Sequence, residues 1–211
     1  MSRIKILPDF LANQIAAGEV IERPASVIKE LLENCIDAGA KNITIIAENA
    51  GIDRISITDD GSGIVKDDLL NALKRHATSK IATTEDLFTI ESFGFRGEAL
   101  PSIASISKFT ITSRTKDSDS AWAVETSGAK EFDLKPASHQ IGTTVQVCDL
   151  FFNTPARRKF LKSARSENST INDVVVHTAI SNPMIGFKLV IDGVEKLNFS
   201  PAQSTELQDY L

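Results

Sequence analysis

The chain has 211 residues, of which 42% are hydrophobic and 24% are charged, and its formal net charge is −5 at pH 7. This composition is that of an ordinary folded protein and excludes a disordered or fibrous chain. The acidic balance also excludes a uniformly basic surface for nucleic acid, but not a local basic patch.

The first elements in chain order are predicted to be helices and a hairpin. Helices are expected over Asp9–Gly18 and Pro24–Ala38, the second with a broad apolar stripe at helical spacing. Pro24 suits its first turn and Gly39 suits its end. Alternating apolar residues on both sides of Asn49–Gly51 then predict an antiparallel hairpin. A third helix is expected over Asp67–Ala77.

The second half of the chain is predicted to be mainly strands. Four of them are expected over Phe109–Thr115, Ala121–Glu125, Glu131–Lys135 and Thr143–Cys148. They are followed by a helix over Ser166–Ser181 and a hairpin of Phe187–Asp192 with Val194–Phe199. This order predicts an α+β fold, a two-layer sandwich with helices on one face of a mixed, mainly antiparallel sheet. Residues 1–200 are expected to form one domain, and residues 201–211 to begin a second domain that lies beyond this chain.

Several features predict a cytoplasmic protein without a membrane segment. No apolar run approaches the roughly 20 residues that cross a bilayer, and the N-terminal residues lack the features of a secretory signal. Cys35 and Cys148 lie in apolar surroundings and are expected to be buried, reduced thiols. The three histidines are too scattered to predict a metal site.

The helix over Pro24–Ala38 carries polar residues at helical spacing. Glu30, Asn34 and Asp37 fall on one stripe opposite the apolar face. On this pattern alone, a solvated polar face is the preferred interpretation. The same residue types would also suit a hard cation that prefers oxygen ligands, with a glutamate one turn earlier as a base for water.

Two glycine-containing segments suggest contact with a ligand. Asp59-Asp60-Gly61-Ser62-Gly63 follows a predicted strand and is typical of a surface turn. The alternative is a close approach of ligand to backbone, with Asp59 accepting a hydrogen bond from an exocyclic amine such as adenine N6. Gly94–Leu100 leads into a predicted helix, whose N-terminal N–H groups favour phosphate.

Residues 75–97 are interpreted as a mobile cover that becomes ordered over a bound nucleotide. The chain contains neither the P-loop motif nor the glycine pattern of a dinucleotide-binding fold. If it binds ATP, it does so with another architecture.

Long contiguous segments resemble one family. The motifs Glu30-x-x-x-Asn34-x-x-Asp37 and Asp59-x-Gly61-x-Gly63, then Gly94–Leu100 and Gly142-Thr143, follow the order of the gyrase/chaperone/histidine-kinase/MutL ATPase superfamily. Within it, Asn13–Val20, Arg75–Ile81, Gly94–Leu100 and Phe152–Phe160 closely resemble the MutL family of DNA mismatch-repair ATPases. The resemblance runs from about residue 4 to residue 200.

The resemblance implies a role for each matching residue. Glu30 is the general base, Asn34 is the Mg²⁺ ligand, and Asp59 reads adenine with support from Thr143. The remaining ATP contacts implied are Asp37, Gly63, Thr78, Ser79, Lys80, Gly94, Phe95, Arg96, Gly97, Glu98, Ala99 and Leu100. Two departures are Asp60, where the family often has Asn, and Pro101, where it commonly has a small residue; Asp60 is expected to add negative charge near the base pocket.

At the level of the whole protein, the resemblance implies a slow, Mg²⁺-dependent ATPase in DNA mismatch repair. ATP binding is expected to close two N-terminal domains into a homodimer and to couple a mismatch-recognition protein to a downstream nuclease or helicase. A second domain in the family supplies a lysine to the γ-phosphate, so hydrolysis by residues 1–211 alone is expected to be impaired.

One basic cluster suggests a contact with DNA. It consists of Arg157, Arg158, Lys159, Lys162 and Arg165. A solvated helix face is the ordinary interpretation of such a cluster, whereas the resemblance favours a salt-dependent contact of Arg157, Arg158, Lys159 and Lys162 with the DNA backbone. No interleaved aromatic residues suggest stacking on bases.

Three other functions remain open from the sequence. A gyrase-type topoisomerase module shares the shorter motifs but not the segments Gly94–Leu100 and Asn153–Phe160. A nucleotide-binding scaffold without hydrolysis would not need Glu30 as a base. A domain with polar turns and no ligand would bind no nucleotide.

Overall fold

The structure is a computed structural model, and it describes residues 17–18, 20–80 and 97–202. The expected helix over Asp9–Gly18 lies almost entirely outside this part, although Ala17 and Gly18 are helical. Among the described residues, no helix combines the length and the hydrophobicity that crossing a bilayer requires.

The first helix, α1, spans Pro24–Asp37, one residue shorter than expected. Pro24 occupies its first turn, as predicted. At its end, Gly39 adopts a left-handed φ of 73°. The N–H of Gly39 donates to Ile36 O at 2.9 Å, and that of Ala40 donates to Cys35 O at 3.1 Å. These two bonds form a Schellman motif and satisfy carbonyls that the helix leaves unpaired.

Eight strands within the described ranges form one sheet. They are β1 (Asn42–Glu48), β2 (Arg54–Asp59), β3 (Lys108–Arg114), β4 (Ala121–Ser127), β5 (Phe132–Ala137), β6 (Gly142–Cys148), β7 (Gly186–Ile191) and β8 (Val194–Phe199). Their order is β5-β4-β3-β6-β2-β1-β7-β8. Neighbours are antiparallel except for β1 and β7, which are parallel. Both expected hairpins are present, and the mixed, mainly antiparallel sheet is confirmed.

The remaining helices are α2 (Lys66–Leu69), α3 (Ala99–Ser105), α4 (Pro155–Phe160) and α5 (Ala164–Ser181). Sequence analysis did not place α4. It also expected one helix over Asp67–Ala77, which was wrong: α2 ends at Leu69, a 3-10 turn spans Asn71–Leu73, and Lys74 is extended. The Asn71 side chain donates to Asp67 O at 3.3 Å, a local bond that competes with helical pairing.

The core lies between one face of the sheet and the helices. Alternate strand residues such as Ile45 and Ile57 point into it, and α1 contributes Leu31 and Leu32. Fully burying side chains of this size contributes about 1.5–3 kcal/mol each. The N-terminal end of α1 is also joined to α5 by a part-buried ion pair, in which Arg23 Nη2 lies 2.9 Å from Glu167 Oε1. The two-layer α/β architecture is therefore confirmed.

Candidate functional site

A cleft of about 1450 Å³ lies beside α1 and the adjoining ends of the strands. Every predicted nucleotide contact within the described residues lines it: Glu30, Asn34, Asp37, Asp59, Gly63, Thr78, Ser79, Lys80, Gly97, Glu98, Ala99, Leu100 and Thr143. Gly94, Phe95 and Arg96 lie outside the described residues. The fold thus brings together segments that are more than 100 positions apart in the sequence.

Strand register places Asp59 on the core face of the sheet. Asp59 ends β2 and is paired with Thr143 at the start of β6, while Ser113 of β3 pairs with Thr143 from the other side. All three are buried. They continue a face that is otherwise apolar, because Ile57, Val145 and Ile111 each lie two positions away on the same strand and are buried. A short polar row therefore forms the floor of the cleft.

Three hydrogen-bond donors hold the Asp59 carboxylate. Oδ1 accepts from the Gly61 N–H at 2.8 Å, and Oδ2 accepts from the Cys35 thiol at 3.4 Å. Burial raises the pKa of Asp59, against the effect of the hydrogen bonds from Gly61, Cys35 and the Thr143 backbone. Burial and the adjacent negative charge raise the pKa of Cys35 well above its usual value, so the thiol remains protonated and donates. The site consequently contains a fixed acceptor in an apolar setting.

Cys35 and Ser113 were missed as site residues by sequence analysis. Ser113 Oγ lies 2.9 Å from Thr143 Oγ1 and accepts from the Ile64 N–H at 2.8 Å, so it ties the loop after β2 to β6. The available signal was its phase, since Ser113 is a polar residue two positions after the core residue Ile111. Cys35 gave no such signal, because a small apolar residue fits the buried stripe of α1. As expected, neither cysteine forms a disulfide, but only Cys35 is fully buried and Cys148 is half-buried.

The glycines after β2 make room for the protein's own backbone. A Cβ at Gly63 would lie 2.2 Å from Arg114 O, and one at Gly61 would lie 2.8 Å from Ala38 O. The two interpretations from the sequence were a surface turn and a close approach of a ligand to the backbone. The structure gives them a packing role, which fixes the position of the loop that follows Asp59.

Asp60 does not line the cleft. Its Oδ1 accepts from the N–H groups of Lys41 and Asn42 at 2.7 and 2.8 Å, and its Oδ2 accepts from Asn42 Nδ2 at 2.8 Å. Although its partial burial acts to raise the pKa, these hydrogen bonds lower the pKa of Asp60 overall. As expected, Asp60 adds negative charge near the base pocket, since its charge acts to raise the pKa of Asp59, but its side chain is turned to the loop before β1.

The helix α1 lines the cleft with Glu30, Asn34 and Asp37, each of them half-buried. Lys80 approaches this row: its Nζ lies 3.3 Å from Asn34 Oδ1 and contacts Asp37 Oδ2. Within the part of the chain that the structure describes, no group of three or more His, Cys, Asp or Glu side chains could hold a metal ion. A cation at Asn34 would therefore need further oxygen atoms from its ligand.

The basic cluster divides into two parts. Arg157 is half-buried, and its guanidinium lies against Gly18, whose Cβ would be 1.5 Å from Nη2. Arg158, Lys159, Lys162 and Arg165 are exposed, and no ion pair involves their side chains among the described residues. Phe160 follows Lys159 directly and is 86% exposed. The expectation that the basic cluster contains no interleaved aromatic residue is therefore wrong.

A carboxylate on the sheet and a Glu/Asn row on a helix thus line one cleft, and the chain that forms it matches one class of ATPase. Residues 21–149 match the family model described as "Histidine kinase-, DNA gyrase B-, and HSP90-like ATPase". This chain belongs to that family.

Within the family, the resemblance to MutL is confirmed. The chain is 58% identical over 187 residues to the DNA mismatch repair protein MutL of Histophilus somni, covering 88% of this chain and 30% of that protein. It is 54% identical to MutL of Pseudomonas syringae pv. tomato, covering 95% and 31%. The Aquifex aeolicus MutL ATPase domain complexed with ADP superposes with a TM-score of 0.71 at 29% identity, covering 90% of this chain and 68% of that one. The chain spans about a third of the length of these curated relatives.

Proposed function

We propose that this domain binds ATP with Mg²⁺, hydrolyses it slowly, and acts as a nucleotide-dependent switch in DNA mismatch repair. The observation that carries the proposal is the joint lining of one cleft by Asp59 and by the Glu30/Asn34 row. An adenine nucleotide with Mg²⁺ requires a hydrogen-bond acceptor for the amine of the base and oxygen ligands for the metal at the phosphates. The relatives named MutL supply the biological process.

Asp59 is proposed to read the adenine base. Its carboxylate is an acceptor held by Gly61 and Cys35, so it does not need to reorganise when an exocyclic amine donates to it. Thr143 adds a hydroxyl beside it, itself oriented by Ser113. A keto oxygen at the same place would face a carboxylate instead of a donor, which disfavours guanine.

Asn34 and Glu30 are proposed to act at the phosphates. The Asn34 side-chain oxygen, with Asp37 close by, is a metal ligand of the type that Mg²⁺ prefers. The cationic Nζ of Lys80 already lies against these two oxygens, which indicates that the residues fit a positive charge. Bound Mg²⁺ would neutralise charge on the phosphate oxygens. Glu30, one turn before Asn34 on α1, is placed to accept a proton from the attacking water.

The other cleft residues are proposed to surround the phosphates. Thr78, Ser79 and Lys80 line one side, and Gly97–Leu100 leads into α3 on another. The chain just before Thr78 contacts the second segment, since the His76 N–H donates to Gly97 O at 3.2 Å. Gly94, Phe95 and Arg96 extend the second segment in sequence. Residues whose contacts depend on the γ-phosphate are the natural source of a switch.

Partners and assembly follow from the family. We propose ATP-dependent homodimerisation, coupling of a mismatch-recognition protein to a downstream nuclease or helicase, and a second domain that begins near residue 201. That domain would supply a lysine to the γ-phosphate, so the expected hydrolysis by residues 1–211 alone is weak. Light scattering with and without a non-hydrolysable ATP analogue tests the dimer, and an unchanged mass would contradict it.

The exposed basic residues are proposed to contact the DNA backbone. Arg158 and Lys162 have no acidic side-chain partner among the described residues, so both charges are available to phosphate. Arg157 is expected to act through its packing against Gly18, and Lys159 to assist. Arg158→Glu with Lys162→Glu is predicted to lower DNA affinity at low salt at least about tenfold, measured by fluorescence anisotropy. Unchanged affinity would contradict the contact.

A further inference from the structure

The Lys80 side chain connects two walls of the cleft. Its Nζ contacts Asp37 Oδ2 and lies 3.3 Å from Asn34 Oδ1, both on α1. The Lys80 side chain is 18% exposed and that of Asp37 is 11% exposed. The Lys80 N–H also donates to Thr78 Oγ1 at 3.2 Å. The lysine is therefore held at both ends in a largely desolvated position.

The two oxygens that hold this ammonium group are those of the proposed metal-binding row. An ammonium group is a compact point charge with three donors, and it is satisfied by the same oxygen atoms as a small hard cation. Because Nζ is within hydrogen-bonding distance of Asn34 Oδ1, a metal ion cannot reach that oxygen until the lysine leaves. The side chain and the metal thus compete for one position.

We propose that Lys80 is an internal competitor for the cation site of the nucleotide-free protein. Its ammonium neutralises the α1 row and prevents a divalent cation from binding alone. It leaves Asn34 only when a nucleotide offers phosphate oxygens to the lysine and to the metal together. This inference rests on the proposed nucleotide function, and it makes Lys80 a selector for the metal–nucleotide complex over the free metal.

Charge alone does not explain this position. Lys29 is a second lysine that lines the same cleft. Its Nζ lies 3.6 Å from Glu33 Oε1, and its side chain is 62% exposed. Lys29 therefore contributes the same formal charge to the cleft without contacting Asn34 or Asp37. The two lysines form a matched pair that separates direct competition from a general electrostatic effect.

The test measures binding of Mn²⁺, a hard divalent probe, to the nucleotide-free domain by electron paramagnetic resonance. Lys80→Met is expected to bind Mn²⁺ at least about tenfold more tightly than the wild type, since removing a contacting charge from a shielded site has an effect of that order. Lys29→Met is expected to change the affinity less than about twofold. Adding Asn34→Ala to Lys80→Met is expected to abolish the gain.

Two results would overturn the inference: equal Mn²⁺ affinity in the wild type and Lys80→Met, or an equal gain in Lys29→Met. Lys80→Gln provides a second variant, and thermal melting shows whether each variant is folded. Binding of an ATP analogue with Mg²⁺ to the wild type is measured in parallel. If that binding is present while Lys80→Met gains nothing, only the inference fails. If the wild type binds no nucleotide while Lys80→Met gains Mn²⁺ affinity, the proposed function fails and the cation site remains.

Discussion

Asp59 and Asp60 are adjacent carboxylates in opposite environments. Asp59 lies on the core face of the sheet, where burial raises its pKa and penalises its charged form. Asp60 lies outside, and its hydrogen bonds to Lys41 and Asn42 lower its pKa despite partial burial. Because the charge of Asp59 costs stability in a cleft, we propose that this residue serves the ligand and not the fold.

We predict that Asp59→Asn stabilises the free domain at neutral pH. The folded-state pKa of Asp59 is raised, so its penalty is absent below the unfolded pKa and is complete above the folded one. The gain in the free energy of unfolding should be roughly 1 kcal/mol at pH 7, and it should shrink as pH falls through the folded pKa. Urea unfolding between about pH 4 and pH 8 measures it.

Asp60→Asn is the matched control, and we expect it to change the free energy of unfolding in the opposite direction. The lowered pKa of Asp60 means that its ionised form stabilises the folded state above the unfolded pKa, and that this contribution is lost as pH falls through the folded pKa. The variant should therefore be less stable than the wild type at pH 7. If both variants shift stability in the same direction, the assignment of the two carboxylates to core and surface is incorrect.

The loop between β2 and α2 is positioned by close packing of backbone on backbone. Gly63 and Gly39 share a φ of 73°, which strains any other residue. They differ in the space around them: a Cβ at Gly63 would meet the Arg114 carbonyl at 2.2 Å, whereas one at Gly39 would have nothing within 4 Å. The pair separates the cost of a left-handed backbone from the cost of a steric clash.

We predict that Gly39→Ala lowers the free energy of unfolding by about 1 kcal/mol, the cost of the left-handed backbone alone. Gly63→Ala should cost at least about 3 kcal/mol, because the loop must also move away from β3. Urea unfolding measures both. Equal costs would mean that the loop does not lie against Arg114.

Helix and strand boundaries were predictable where one local signal dominated. Pro24 and Gly39 delimit α1, and the turns at Asn49–Gly51 and Gly193 delimit two hairpins. The helix expected over Asp67–Ala77 failed because the Asn71 side chain competes for a backbone carbonyl, which apolar spacing does not reveal. Strand β5 is an edge strand, and an edge tolerates the missing donor of Pro136.

The candidate site was predictable from contiguous motifs but not from single residues. The resemblance assigned Asp59 and Asn34 to one site, and both line the same cleft, while the isolated motifs were compatible with ordinary turns and polar faces. The phase of Ser113 indicated its face of the sheet but not its contact with Thr143, and the contact of Lys80 with Asn34 gave no signal, because each contact depends on which strands and loops become neighbours in three dimensions. Long-range pairing is information that spacing within one segment does not contain.

The domain as a whole is proposed to bind the adenine base and the metal ion in one cleft. Strands β2 and β6 contribute its floor, and α1 contributes the Glu30/Asn34 row. Because Asp59 and Asn34 belong to different elements, loss of either one should remove binding that requires both ends of the nucleotide. Asp60→Asn again serves as a control, since its side chain does not line the cleft.

The most direct measurement is calorimetric binding of a non-hydrolysable ATP analogue, with and without Mg²⁺, to the wild type and to Asp59→Asn, Asn34→Ala and Asp60→Asn. The wild type and Asp60→Asn are predicted to bind only with Mg²⁺. Asp59→Asn and Asn34→Ala are predicted to lose at least about tenfold in affinity, the effect of removing one charged or metal-linked contact. Failure of the wild type to bind, or undiminished binding by both cleft variants, would contradict the proposed site.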